Sequence, residues 1–385
     1  MKKLLMVTTI PDTLRAFFLP LVSRLRDRGW QVDGMAKGIS NNLECVRAFD
    51  RVWDVEWSRN PLDGKNLIAA PGQIRQAFSQ EQYDIVNVST PVAAFVTRYA
   101  LKDLRKQGKV KVIYTAQGFH FYKGGSLYKN AIFLGLEKIA GPWTDYLVVV
   151  NREDESAAKR YGLISPERVR YIPGTGLNLD RFNPSAIPEA DIMRVRQELG
   201  LGRENPLFLS VAEFIPRKRP GDILKAFAQL GRPQVHLALA GNGLIFEEMQ
   251  QLASELGIQK QVHFLGLRRD IPILMRASVA TLIASSQEGL PNCVMESLCI
   301  EIPVIGTEIR GTRDLLEGGN GLLVKLGDIN GIASAMTWIL DHPEEAQQMG
   351  KRGRENMVNY DLPHILKQYE DLYAEVNNQQ STINP

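Results

Sequence analysis

The sequence predicts an α/β fold of parallel-sheet units spread over two domains. Three observations carry this. Short apolar, β-branched runs alternate along the chain with segments of helical periodicity. The unit is clearest at 279–305: a buried-type strand at 279–284, a polar loop at 285–291, a helix at 292–300 with Val294, Met295 and Leu298 at helical spacing, and a second buried strand at 302–305. The length, 385 residues, suffices for two domains of ordinary size.

Composition narrows the class. Lys and Arg number 46 against 43 Asp and Glu, a net charge of +3 that permits an anionic substrate or membrane surface without demanding one. No nucleic-acid partner is indicated. Cys45, Cys293 and Cys299 are too few and too scattered for a disulfide framework or a zinc site, so a reducing, cytoplasmic compartment is expected. Lys2 and Lys3 lead into a short apolar run that ends at Thr8, Thr9 and Pro11, which reads as a first strand rather than a signal peptide. No apolar stretch approaches the roughly 20 residues of a membrane helix.

Residues 3–9 read as a strand, 14–29 as a helix and 30–35 as the next strand. The intervening loop at Thr9 holds the position of a nucleotide-binding turn but lacks G-x-G-x-x-G, which argues against a nucleotide here and against a nicotinamide oxidoreductase. A strand at 52–55, a helix at 66–80, a strand at 84–88 and a helix to about 106 follow. Lys102, Arg105, Lys106, Lys109 and Lys111 form a basic run, either a solvated helix end or a contact for anionic lipid. The strand at 110–115 opens onto a loop holding Gln117, Phe119, His120, Tyr122, Lys123 and several glycines, at a strand C-terminus, where open α/β sheets bind ligands. In the helix at 128–140, Ile132, Phe133, Leu136 and Ile139 recur at helical spacing and face either the core or a membrane surface. A strand at 145–150 and a helix capped by Asn151 close this half.

The segment 169–182 leads into the second half, with Gly174 and Gly176 suited to close backbone approach. A helix at 191–199 and a strand at 206–212 precede a loop with Glu213, Arg217, Lys218 and Arg219, cations placed to neutralise a diphosphate or simply solvated. Then come a helix (222–230), a strand (235–240), the turn Gly241-Asn242-Gly243, a helix (246–256) and a strand and loop (262–271) containing Arg268. At 285–292 a helix N-terminus offers free N–H groups and partial positive charge, which suits a phosphate. Glu288 and Glu296 bracket it with seven residues between them, as capping or solvated glutamates or as holders of hydroxyl groups. A strand at 321–324, helices at 328–340, 344–360 and 362–376, and a polar, frayed tail at 377–385 complete the reading.

Glu288-Gly289-Leu290-Pro291 with Glu296 resembles the donor-site motif of retaining glycosyltransferases of family 4. Residues 307–314 and 319–324 resemble the next segments of that family, 169–182 its hinge, and 116–124 the loop T-A-H-G-F-H-F-Y-K-G of its polysaccharide and lipid-linked glycan branch. The resemblance implies two Rossmann-like domains facing across a cleft, the arrangement called GT-B. Residues 1–182 would bind the acceptor, 183–361 the nucleotide-sugar, and the last helix, about 362–376, would cross back to the first domain. It implies transfer of a sugar with retention from a nucleotide-diphosphate sugar, UDP-linked in this branch, to a saccharide or lipid-linked saccharide in cell-surface polysaccharide biosynthesis. The chain would work in the cytoplasm or on the inner face of the membrane. Glu288, with Gln117 or His120, would stand at the reacting sugar. Lys218, Arg217, Arg219, Glu213, Gly241, Arg268, Gly289, Leu290, Pro291, Asn292 and Glu296 would bind the donor. Thr9, Phe119, Tyr122 and Lys123 would lie on the acceptor side. The nucleotide-sugar is a substrate, so no cofactor is implied, and no Asp-x-Asp metal motif occurs in the chain. Two positions depart from the family pattern: Gln117 stands where a histidine is common, and Glu213 where an arginine is. The alternatives are a non-catalytic sugar-nucleotide binder and a UDP-N-acetylglucosamine 2-epimerase, which shares the architecture.

Overall fold

A computed structural model describes residues 1–58 and 63–381. The chain divides into two compact units, 1–176 with 363–385, and 177–362. The boundary thus falls at Gly176, ahead of the expected 182, and the final helix belongs to the first unit.

The first unit is built on strands β1 (Lys3–Val7), β2 (Gln31–Ala36), β3 (Val52–Asp54), β4 (Ile85–Ser89), β5 (Lys111–Ala116), β6 (Tyr146–Val149) and β7 (Val169–Tyr171). They form one parallel sheet in the order β3-β2-β1-β4-β5-β6-β7. The second unit holds β8 (Leu207–Val211), β9 (His236–Ala240), β10 (Val262–Gly266), β11 (Ala280–Ile283), β12 (Val304–Thr307) and β13 (Leu322–Val324), also all parallel, in the order β10-β9-β8-β11-β12-β13. Each order reverses beside the unit's first strand, so the ligand crevice of such sheets lies outside the C-terminal ends of β1 and β4, and of β8 and β11.

Alternation along each strand feeds two cores. Leu5 and Val7 face one side of the first sheet with Val86, Ala94 and Leu101, whereas Leu4 and Met6 face the other with Leu14 and Val22. The second face is covered by Ile365, Tyr369, Leu372, Tyr373 and Val376 of the terminal helix, Leu362–Ser381. That helix runs past the expected 376, and residues 382–385 of the expected tail lie outside the described residues. The expected single helix at 14–29 is two, Pro11–Phe17 and Leu19–Asp27. Pro20 explains the break: it has no N–H to donate and sits in the first turn of the second helix, where that loss costs nothing. Among the described residues no helix is long and apolar enough to cross a membrane.

The terminal helix is tied down by a buried polar chain. Thr115 Oγ1 donates to Asn87 Oδ1 (2.8 Å), and Asn87 Nδ2 donates to the Tyr373 hydroxyl (2.6 Å). Tyr373→Phe leaves that amide proton unmatched in the core, and a loss of about 1–3 kcal/mol is expected in urea unfolding, with little change in helix content. In the second unit His236 Nδ1 and His263 Nε2 lie 3.1 Å apart at the start of neighbouring strands. Burial lowers the pKa of both rings. Arg196 lowers that of His236 further, and His236 that of His263. The unfolded chain therefore binds more protons than the folded one. Stability is full above about pH 6.5 and falls as the pH drops below it. Melting temperatures between pH 7.5 and 5 should decline less steeply in His236→Gln than in the unsubstituted chain.

Candidate functional site

The second unit assembles its charges where β8 and β11 end. After β8 the chain turns at Pro216–Lys218, and after β11 it runs through Ser285 to Pro291 into the helix Asn292–Cys299. Ser286 N donates to the Arg217 carbonyl at 2.9 Å, which joins the two loops. Across that seam Lys218 Nζ lies 2.6 Å from Glu288 Oε1, and Arg217 Nη1 lies 3.4 Å from the same oxygen and 2.6 Å from the Gln287 carbonyl. Glu288 is 9% exposed, so the Lys218 pair is shielded and stronger than a surface pair.

The Glu288–Pro291 turn is held from behind. Buried Arg310 donates from Nε to the Glu288 carbonyl at 2.9 Å. A Cβ on Gly311 would lie 1.9 Å from the Gly289 carbonyl oxygen, so only glycine fits there. Thr307 Oγ1 donates to the Ser285 carbonyl at 2.7 Å. Ser285 Oγ and Thr312 Oγ1 are buried in the same region. The helix that follows has no side-chain cap at Pro291 and no acidic residue in its first turn, so its N-terminus keeps its partial positive charge. Asn292 is exposed there, while Leu290 packs on the core. Burial pushes the Cys293 thiol up to about 12, which keeps it protonated and inert. Farther along, burial pushes the Glu296 carboxyl above its ordinary value, offset only in part by Arg181.

Three donor-side expectations change. Arg219 takes a left-handed backbone (φ 51°) and gives its guanidinium to Asp222 at 2.6 Å, so Arg217 rather than Arg219 accompanies Lys218. Arg268 is engaged by Glu198 and Asp270, holding both carboxyls below the usual range, and orders its loop instead of offering a free cation. Gly241 serves packing: at φ 149° a Cβ would sit 1.9 Å from the Ala212 carbonyl oxygen. Glu213 is exposed at the end of β8.

In the first unit, Thr9 sits after β1 and Thr90 after β4, their hydroxyl oxygens 2.6 Å apart. Thr90 has φ 71°, a strained conformation of the kind found at functional sites. Trp57 Nε1 donates to the Thr9 carbonyl at 2.8 Å. A cavity of about 300 Å³ opens beside them, lined by Thr9, Ile10, Lys37, Trp57, Ser58, Asp63 and Lys65. After β5, Gln117 has a buried Nε2 with no partner, a donor still to be matched. His120 is exposed and rests against the Phe133 ring at 5.1 Å. Phe119 is corrected: it is 1% exposed and stacked on Phe121 at 4.7 Å, part of the core rather than an acceptor contact. Its N–H donates to Asp154 Oδ2, and Asn130 bonds the backbone of half-buried Tyr122, so the loop is pinned while Lys123 stays exposed.

Sequence reasoning missed Arg310, Thr90 and the cavity residues Lys37 and Trp57. The first was legible as an arginine directly before a glycine in the strand-following segment 307–314; the others carry no local signal. Gly311→Ala is expected to push the Glu288–Pro291 turn out of place at a cost of about 1–3 kcal/mol, read as a lowered urea midpoint.

The description "Glycosyltransferase Family 4" matches residues 17–181, and "Glycosyl transferases group 1" matches 191–356. EpsD of Bacillus subtilis, a glycosyltransferase by inference, is 32% identical over 97% of this chain and 96% of its own. The Escherichia coli UDP-Gal:alpha-D-GlcNAc-diphosphoundecaprenol alpha-1,3-galactosyltransferase is 26% identical over 95% of this chain and 85% of its own. Among solved structures, Anabaena HepE with UDP and glucose superposes with a TM-score of 0.79 at 20% identity, over 97% of this chain and 100% of HepE, a likeness of fold.

Proposed function

The chain belongs to glycosyltransferase family 4, and from that premise we propose that it moves a hexosyl or N-acetylhexosaminyl group from a UDP-sugar to a lipid-linked saccharide, with retention and without a metal ion. The observation that carries this reading is the Lys218–Glu288–Arg217 cluster beside the uncapped N-terminus of the helix Asn292–Cys299. A diphosphate set there meets backbone N–H groups, the helix dipole and a lysine. In taking the lysine it frees the Glu288 carboxylate to accept from hydroxyls of the donor sugar. Glu296, one turn along the same helix, accepts from the ribose.

In the reaction the bond from the anomeric carbon to the diphosphate oxygen breaks, and one from that carbon to the acceptor oxygen forms. The acceptor proton passes to the leaving phosphate, and the developing negative charge rests on Lys218 and the helix N-terminus. In the first unit, Gln117 stands where the family often has a histidine and is the candidate donor to an oxygen of the acceptor; exposed His120 is the less enclosed candidate. The relatives' names support the donor and acceptor classes, since one acts with UDP-Gal on a diphosphoundecaprenol-linked sugar. The family match favours transfer over epimerisation or mere binding. The working place is the cytoplasmic face of a membrane, where the acceptor lipid is anchored.

Calorimetry with UDP, GDP, ADP and dTDP tests the site. UDP is expected to bind best, and Glu296→Ala and Lys218→Ala to weaken it about tenfold or more each, the effect of losing a hydrogen bond to or from a charged group. Failure of every nucleotide to bind the unsubstituted chain would remove the donor site.

A further inference from the structure

The cavity beside Thr9 belongs to the first unit and has a chemistry of its own. It opens where β1 ends, next to β4, at the point where the order of this sheet reverses and such sheets hold ligands. Its volume, about 300 Å³, is at the small end of ligand pockets, which suits one sugar ring and not a chain of them. One wall is the Trp57 indole, 1% exposed. Its N–H is already given to the Thr9 carbonyl, so it offers apolar ring surface rather than a donor.

The hydrogen bonds around Thr9 fix what its hydroxyl can do. Thr90 Oγ1 accepts from Thr9 N–H at 3.0 Å and gives its single proton to the Ser89 carbonyl. The 2.6 Å contact between the two hydroxyls is therefore donated by Thr9. Thr9 Oγ1 is left with lone pairs only, and a ligand in the cavity must bring a donor to it.

The mouth of the cavity is cationic. Lys37 and Lys65 line it and are exposed, and among the described residues neither forms an ion pair. The one acid in the lining, Asp63, accepts from Lys65 N–H at 3.0 Å. That bond and the Ser58 hydroxyl hold its carboxyl below the usual range. Two ammonium groups against one carboxylate leave surplus positive charge at the entrance. Lys65 also opens a turn of π-helix, Lys65–Ala69, a conformation frequent at functional sites.

We propose that this cavity selects a charged acceptor: it holds one sugar ring, a ring hydroxyl donates to Thr9 Oγ1, and Lys37 and Lys65 bind an anionic group carried directly by that sugar. The group is a diphosphate at the anomeric carbon or a carboxylate on the ring; both present anionic oxygens to the two ammonium groups. This rests on the proposed transfer reaction and adds to it the residues that read the acceptor's charge.

The test is calorimetry on the full chain saturated with UDP. Three ligands are titrated: the methyl diphosphate ester of α-N-acetylglucosamine, methyl α-N-acetylglucosaminide and methyl α-glucuronide. One of the two charged ligands is expected to bind about tenfold or more tighter than the neutral one, the effect of a hydrogen bond to a charged group. Which of the two it is assigns the anion to the diphosphate or to the carboxylate. Lys37→Gln and Lys65→Gln, both of exposed side chains, should each erase most of that preference and leave the neutral ligand and UDP unchanged. Thr9→Val should weaken all three ligands. Equal binding of the three, binding of none, or a preference that survives Lys37→Gln with Lys65→Gln overturns the inference. UDP binding without any charge preference sinks this inference alone. A charge preference, measured without nucleotide, in a chain that binds no UDP sinks the proposed function and leaves the anion-reading cavity standing.

Discussion

The second unit turns on one shielded ion pair, Lys218 with Glu288 at 2.6 Å. Each partner comes from a different loop, and those loops lie together only because β8 and β11 are neighbours in the sheet. Arg310 fixes the carbonyl of Glu288, and Gly311 permits the backbone to come close enough. A buried carboxylate beside a lysine is stable as a pair and unstable as a single charge. The pair thus holds the mouth of the site in a defined shape when nothing is bound, and a competing anion has a definite contact to replace.

The first unit relies on a different device. The C-terminal ends of its inner strands β4 and β5 carry strain at Thr90 and an unmatched amide at Gln117 instead of a fixed pair. Each costs stability, and each is surrounded by strands buried on both faces that keep it in place.

Much of this was legible in the chain. The parallel strands are continuous apolar runs, and the segment 279–300 is legible as strand, loop and helix because buried β-branched residues, a proline and helical spacing follow one another there. The failures were of two kinds. Pro20 is a local signal, and it splits a helix that periodicity alone makes continuous. The fates of Arg219, Arg268 and Phe119 were not local: which carboxylate meets an arginine, and whether an aromatic loop residue turns toward the core, depends on partners that only the folded chain supplies. Ile132 and Ile139 have core spacing and no core, since that helix turns Phe133, Leu134 and Glu137 inward instead.

The terminal helix has a consequence for how the chain comes to be folded at all. One face of the first sheet is completed by Ile365, Tyr369 and Tyr373, which follow the entire second unit in the chain. Domains usually fold in order of synthesis. Here the first unit waits with part of one apolar sheet face uncovered while the second is made, an exposed patch of the kind a chaperone is suited to cover.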